Sequence, residues 1–200
     1  MVREAALYAR LSAFEHRLAL LERELTESRA QAASDALTGL ANRRSIEESF
    51  RELQARGSSV VVALLDLDDF KTINDTFGHA LGDAALTVTG KALTQAVRQN
   101  DVVGRLGGDE FVILMIDVTL AQAEHRLRLV LSTLAVTPAF LYGQQAWFSA
   151  SCGAATIKDD DNLSSLLRRA DHALYQAKRL GKNRVVCADH GAPKAAPSGL

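Results

Sequence analysis

The chain has 200 residues, of which 48% are hydrophobic and 24% charged, and its formal net charge is −1. That length suits one ordinary domain with extensions, and the composition affords a sizeable core and excludes general disorder. The near-neutral charge argues against a broad nucleic-acid footprint, so a bound nucleotide would be held at a local site. The N-terminal MVREAALYARLSAFEHR carries acids and lacks a signal-peptide core. No apolar run reaches the roughly 18–20 residues of a membrane span. These features point to the cytoplasm.

Residues 1–33 read as a long helix. Leu7, Leu11, Phe14, Leu18, Leu21, Leu25, Ser28 and Ala32 follow at alternating steps of four and three, the period of a coiled-coil seam, between charged flanks. A single amphipathic helix lying on its own domain is the alternative. Good heptads without proline favour a parallel dimeric coil, hence a homodimer joined through this helix.

After a turn around Gly39, Asn42-Arg43-Arg44 leads into an amphipathic helix carrying Ile46 and Phe50, which Gly57 ends. The uninterrupted run Val60 to Leu65 predicts a central strand buried on both faces. A helix spans about 79–98, and a hairpin follows, with Gly107-Gly108 as its tight turn. A helix at 119–134 stops before Pro138. Strand 146–157 contains Trp147 and Phe148, read as core, and Cys152, read with Cys187 as a reduced thiol. The acids of 159–161 read as a solvated loop before the helix 162–181. "NRVVCA" is a last strand, and the tail 188–200, with two of three prolines, reads as disordered. The expected domain is thus 34–187, ordered α-β-α-β-β-α-β-α-β: an α+β or sandwich-like domain with one central sheet.

Asp66 ends the first strand, and Asp68, two residues on, faces the same way in extended geometry. Asp109 and Glu110 sit at the hairpin tip. If the hairpin lies beside the Asp66 strand, three or four carboxylates meet at one edge and repel unless a cation joins them. All-oxygen ligands beside phosphate suit Mg2+, which takes one or two protein carboxylates and completes its shell with water and substrate; Mn2+ could stand in. Glycines there let a phosphate or base approach the backbone closely.

"RLGGDEF" at 105–111 is the signature of the GGDEF domain, and the chain resembles diguanylate cyclases. "DALTGLANRR" (35–44), "DLDDFKTINDTFGHALGD" (66–83) and "ADHALYQAKRLGKNRV" (170–185) resemble the family's stretches in the family's order, covering about 34–187. The resemblance implies an α+β fold with a central, mostly antiparallel sheet flanked by helices, related to adenylyl cyclases and polymerase palm domains. It implies a reaction joining two GTP into cyclic di-GMP with release of two pyrophosphates, across two facing domains. By position, Asp66 and Asp109 would be metal ligands with the Leu67 carbonyl. Glu110 would be a second-metal ligand or would help deprotonate the attacking 3′-hydroxyl. Gly107 and Gly108 would line the nucleotide, and Asn74 and Asp83 would read guanine. Backbone N–H groups of Asp69, Phe70 and Lys71 can cradle the β- and γ-phosphates, with Lys178 and Lys182 adding positive charge. The family often has arginine at 182; lysine keeps the charge but loses the bidentate fork.

"RQND" at 98–101 resembles the family's inhibitory site, where the product binds through Arg98 and Asp101; Arg126 and Arg128 are both candidates for a further arginine. The alternative is an ordinary ion pair at a helix end. Two rival functions remain: a non-enzymatic receptor for cyclic di-GMP or GTP, and a different nucleotidyl cyclase. The intact glycines and acids favour the diguanylate cyclase. With about 33 residues before the catalytic part, a regulatory signal would come through a partner of the coil, through concentration, or from a longer protein.

Overall fold

The computed structural model describes residues 16, 17, 21, 33–159 and 161–188. The expected coil lies almost wholly outside these residues, and the tail beyond 188 entirely so. Asn42 caps helix α1 (Arg43–Ala55) by accepting from the Ser45 amide, and Gly57, at φ +67°, turns the chain into strand β1 (Val60–Leu67). Helices α2 (Phe70–Phe77) and α3 (His79–Ala96) follow, separated only by Gly78 at φ +82°. Strands β2 (Val102–Gly107) and β3 (Glu110–Ile116) form the hairpin. Helix α4 (Leu120–Ala135) opens on a reciprocal Thr119–Gln122 cap. A short ribbon, β4 (Ala139–Leu141) and β5 (Gln144–Ala146), precedes β6 (Ala150–Thr156), helix α5 (Leu163–Arg179) and β7 (Val185–Cys187).

The main sheet has the order β2-β3-β1-β6-β7, antiparallel except for the parallel β6–β7 pair. The expected α+β class is therefore the observed one. Strand β1 is buried at every position because helices cover both faces. Side chains alternate across a strand. Val61, Ala63, Leu65 and Leu67 join the core under α3 and α4, while Val60, Val62 and Leu64 join the core under α1 and α5. Asp66 continues the second series and so emerges on the α5 side of the sheet edge.

The structure differs from the sequence expectations at several points. The helix expected at 79–98 is preceded by a separate α2, and the β4–β5 ribbon was not foreseen. The strand expected at 146–157 begins only at Ala150, so Trp147 lies in an irregular segment and is 60% exposed, whereas Phe148 is buried as expected. Asp161 is no solvated loop residue: it accepts from the Lys158 amide, the Ser165 hydroxyl and Arg169, and its side chain is only 11% exposed.

Candidate active site

The β1–β3 register sets Asp66 directly opposite Glu110, so the strand end and the hairpin tip meet as the sequence suggested. The tip itself is shifted by one residue. Arg105 pairs with Phe111 but Gly107 pairs with Glu110, a bulge that uses up Leu106. The two turn residues are consequently Gly108 and Asp109, not Gly107 and Gly108. Gly108 has φ +53°, which L-residues rarely tolerate. Arg105 holds the turn, donating from Nε and Nη2 to the Gly108 carbonyl at 3.0 and 2.6 Å. Its Nη1 donates to both Asp35 oxygens at 3.1 and 3.2 Å.

Burial, followed by the charges of Asp109 and Glu110, pushes the Asp66 carboxyl above the ordinary carboxylate range, even though Lys178 pulls it down. Lys178 reaches across from the last turn of α5 to donate to Asp66 Oδ1 at 2.5 Å. A buried carboxylate facing two further acids is short of positive charge, and one ammonium answers only part of that deficit. Asp66, Asp109 and Glu110 are oxygen donors of the kind a hard divalent cation takes, so the residues present fit Mg2+. Among the described residues no three His, Cys, Asp or Glu side chains already stand in ligating geometry. Asp68 does not join the group. Its carboxylate accepts from Ser149 Oγ at 2.6 Å, Ser151 Oγ at 2.7 Å and the Asn183 amide at 3.0 Å, which ties β1 to β6 and to the loop after α5. Extended geometry ends at Leu67, so the i, i+2 rule no longer aligns Asp68 with Asp66.

Asp69, with φ +54°, turns the chain from β1 into α2. Its carbonyl accepts from the Thr72 amide, and the first-turn amides of Phe70 and Lys71 face the helix mouth, where an anion is favoured. The Asp69 carboxylate is held by Lys182 Nζ at 2.7 Å from each oxygen, which raises the proton affinity of that lysine. The sharp turn at Gly78 brings Asn74 of α2 alongside the first turn of α3, which carries His79, Gly82 and the exposed Asp83.

The stretch 98–101 is a turn rather than helix, since α3 ends at Ala96. Asp101 Oδ2 accepts from the Arg98 amide and Oδ1 from the Ile116 amide, both at 2.9 Å, so this carboxylate is 1% exposed and ties the turn to β3. Arg126 Nη1 stands 3.5 Å from Asp101 Oδ2 and is buried without a hydrogen-bond partner. Arg128 instead pairs with Glu124 at 2.6 Å. Of the two candidate arginines, the fold brings Arg126 to Asp101. The roles of Asp35, Arg105, Ser149 and Ser151 escaped the sequence reading, because each depends on a partner far away in the chain.

Residues 32–184 match the family described as "Diguanylate cyclase, GGDEF domain". The chain belongs to that family. It is 34% identical over 187 residues to the diguanylate cyclase DgcP of Pseudomonas aeruginosa, covering 92% of this chain and 28% of that protein. It is 40% identical over 175 residues to the response regulator PleD of Caulobacter vibrioides, covering 83% of this chain and 38% of that one. The chain thus spans well under half the length of these relatives. The coiled coil and GGDEF domain of DgcB from Caulobacter crescentus, solved in complex with c-di-GMP, superposes with a TM-score of 0.82 at 28% identity, covering 90% of this chain and 98% of that one. No helix among the described residues is long and apolar enough to cross a membrane.

Proposed function

We propose that this chain is a diguanylate cyclase that condenses two GTP into cyclic di-GMP and two pyrophosphates. The observation that carries the reading is the meeting of Asp66 with the Asp109-Glu110 tip across the β1–β3 register, on a fold whose relatives include named cyclases. Asp66, the Leu67 carbonyl, Asp109 and Glu110 would hold Mg2+ or Mn2+. Such a cation lowers the pKa of the attacking hydroxyl and offsets charge gathering on the α-phosphate.

The chain's own groups supply the rest. The Phe70 and Lys71 amides, Lys178 and Lys182 bind the triphosphate. Gly107 and Gly108 leave room for the nucleotide at the hairpin tip. The Asp83 carboxylate accepts from guanine N1–H and N2–H2, and the Asn74 amide pairs with O6 or N3. Adenine lacks the N2 donors, so ATP would leave Asp83 unpaired. In each half-reaction a 3′-oxygen bonds to the partner nucleotide's α-phosphorus, the bond to the β-phosphate bridging oxygen breaks, and pyrophosphate leaves. The proton passes to a base, for which Glu110 is the candidate; its alternative role is as a ligand of a second cation.

One site holds one GTP, so two domains face each other. The heptads of residues 1–33 would join them as a parallel coil, a reading supported by helical, 46% exposed Leu21 and by the coiled coil of the DgcB structure. Domain limits of 1–33, 34–187 and 188–200 follow the same reading. The bound c-di-GMP in relatives supports product inhibition at Arg98 and Asp101, completed by Arg126. The GTP requirement and the lack of a long apolar helix among the described residues favour the cytoplasm. Incubating the purified chain with GTP and Mg2+ and weighing the products tests all this. Cyclic di-GMP is expected from the wild type and about a hundred- to a thousandfold less from Asp109→Ala, the loss when one charge-stabilising group is removed. Product-free protein that converts no GTP at any concentration would leave the receptor reading standing instead.

A further inference from the structure

Gly82 lies near the start of α3, inside a helix, where alanine is the better residue. Its backbone is not left-handed, so conformation does not ask for glycine there. Asn74 does. A Cβ at position 82 would overlap Asn74 Oδ1 and would stand 3.1 Å from Asn74 Cγ and 3.3 Å from Phe70 Cζ. The same Oδ1 is buried and has no hydrogen-bond partner. Two locally unfavourable features therefore coincide: a glycine inside a helix and an orphaned carbonyl oxygen lying against it. A fold chosen for stability alone would carry neither.

We propose that Gly82 is a positioning residue for guanine recognition, giving Asn74 Oδ1 a seat against the α3 backbone so that the amide presents Nδ2 to the base. This rests on the reading of Asn74 as a guanine contact. The terminal torsion of asparagine is broad and roughly two-fold, so an unseated amide can offer either end. Nδ2 is a donor and matches guanine O6 or N3. A swung amide would offer its oxygen, which repels guanine O6 and suits the exocyclic amino donors of adenine. The absent methyl at 82 thereby sets which end of Asn74 meets the base, and with it the preference for GTP over ATP. Gly82 touches no nucleotide in this account; it acts through Asn74.

The test is a double-mutant cycle on the full chain, reading equilibrium binding of non-cyclising GTP and ATP analogues with Mg2+. Gly82→Ala is expected to weaken the GTP analogue about tenfold, equivalent to about 1.4 kcal/mol, and to change the ATP analogue by less than twofold. In the Asn74→Ala background, where the amide is gone and the methyl has space, Gly82→Ala is expected to add no more than a twofold change. Wild-type affinity in the Gly82→Ala variant overturns the proposal. So does a further large loss in the Asn74→Ala background, which would mark Gly82 as a packing position. If Asn74→Ala itself binds the GTP analogue as tightly as wild type, the guanine contact falls and takes the proposal with it. Tight GTP binding without cyclic di-GMP formation would defeat only the enzyme reading.

Discussion

Asp35 and Arg105 stand 70 positions apart, yet their contact links the segment that enters the domain to the β2–β3 turn. Burial would raise the proton affinity of Asp35. Hydrogen bonds from Thr38, joined by those and the charge of Arg105, outweigh it and hold the carboxyl below the ordinary range. A carboxyl with a depressed folded-state pKa adds stability above its unfolded value and gives it up as pH falls through the folded value. The bridge is largely shielded, with side-chain exposures of 12% and 22%, so it is not a freely solvated surface pair. Arg105→Ala should move the acid-unfolding midpoint to higher pH and cost about 1–3 kcal/mol near neutrality, the range for leaving a shielded hydrogen-bonding partner unsatisfied. An acid transition coincident with wild type, followed by circular dichroism, would show that the bridge is ornamental. The Asp35 carboxylate also accepts from the Thr38 amide and hydroxyl, three residues on; that contact is local in the sequence, whereas the reach to Arg105 leaves no local mark.

At the scale of elements, the strongest patterns in the sequence survived. The run from Val60 predicted a strand buried on both faces, and β1 is one, because six consecutive apolar residues can only sit between two helical layers. What failed was punctuation. The helix expected from 79 begins there as α3, but α2 went unassigned, because eight residues stopped by Gly78 are too few for a clear period. The hairpin turn slipped by one residue because a bulge at Leu106 leaves no mark in hydrophobic alternation. The β4–β5 ribbon has three-residue strands, too short for a periodic signal, and reveals itself only through Tyr142-Gly143, both at positive φ.

The contact of β6 with α5 carries its own test. A Cβ at Gly153 would overlap the Ala170 carbonyl and the Leu174 amide and lie 2.8 Å from Leu174 Cα. These are backbone atoms of a packed helix and cannot swing aside. Gly153→Ala should therefore destabilise the domain by about 3 kcal/mol, at the upper end of overpacking costs. Denaturant unfolding reads this as a lower midpoint; a shift below about 0.5 kcal/mol, the range of ordinary surface substitutions, would mean that β6 and α5 pack less tightly than described.

Across the whole molecule, the sheet works as a frame that delivers groups from distant parts of the chain to one edge. Strand β1 carries Asp66 next to its last residue, the β2–β3 tip brings Asp109 and Glu110, and α5 sends Lys178 over the same face. The sequence signalled this gathering through two acidic motifs, and the register brings them together. It gave no sign that Asp68 would be diverted to Ser149 and Ser151, since that depends on where β6 docks. Lys178 and Lys182 are both paired with acids of the β1–α2 edge, Asp66 and Asp69. Those acids are thereby neutralised by the cations assigned to the triphosphate.

The claim on which the proposed chemistry depends is that Asp66 and the hairpin tip share a divalent cation beneath GTP. Crystals of the full chain grown with Mn2+ and a non-cyclising GTP analogue would locate that ion by its anomalous scattering. The account expects Mn2+ at about 2.0–2.3 Å, the range of hard-cation oxygen contacts, from an Asp66 oxygen and from Asp109 or Glu110, with Lys178 turned to the phosphates. Mn2+ bound only by phosphates and water, with Lys178 still on Asp66, would contradict it.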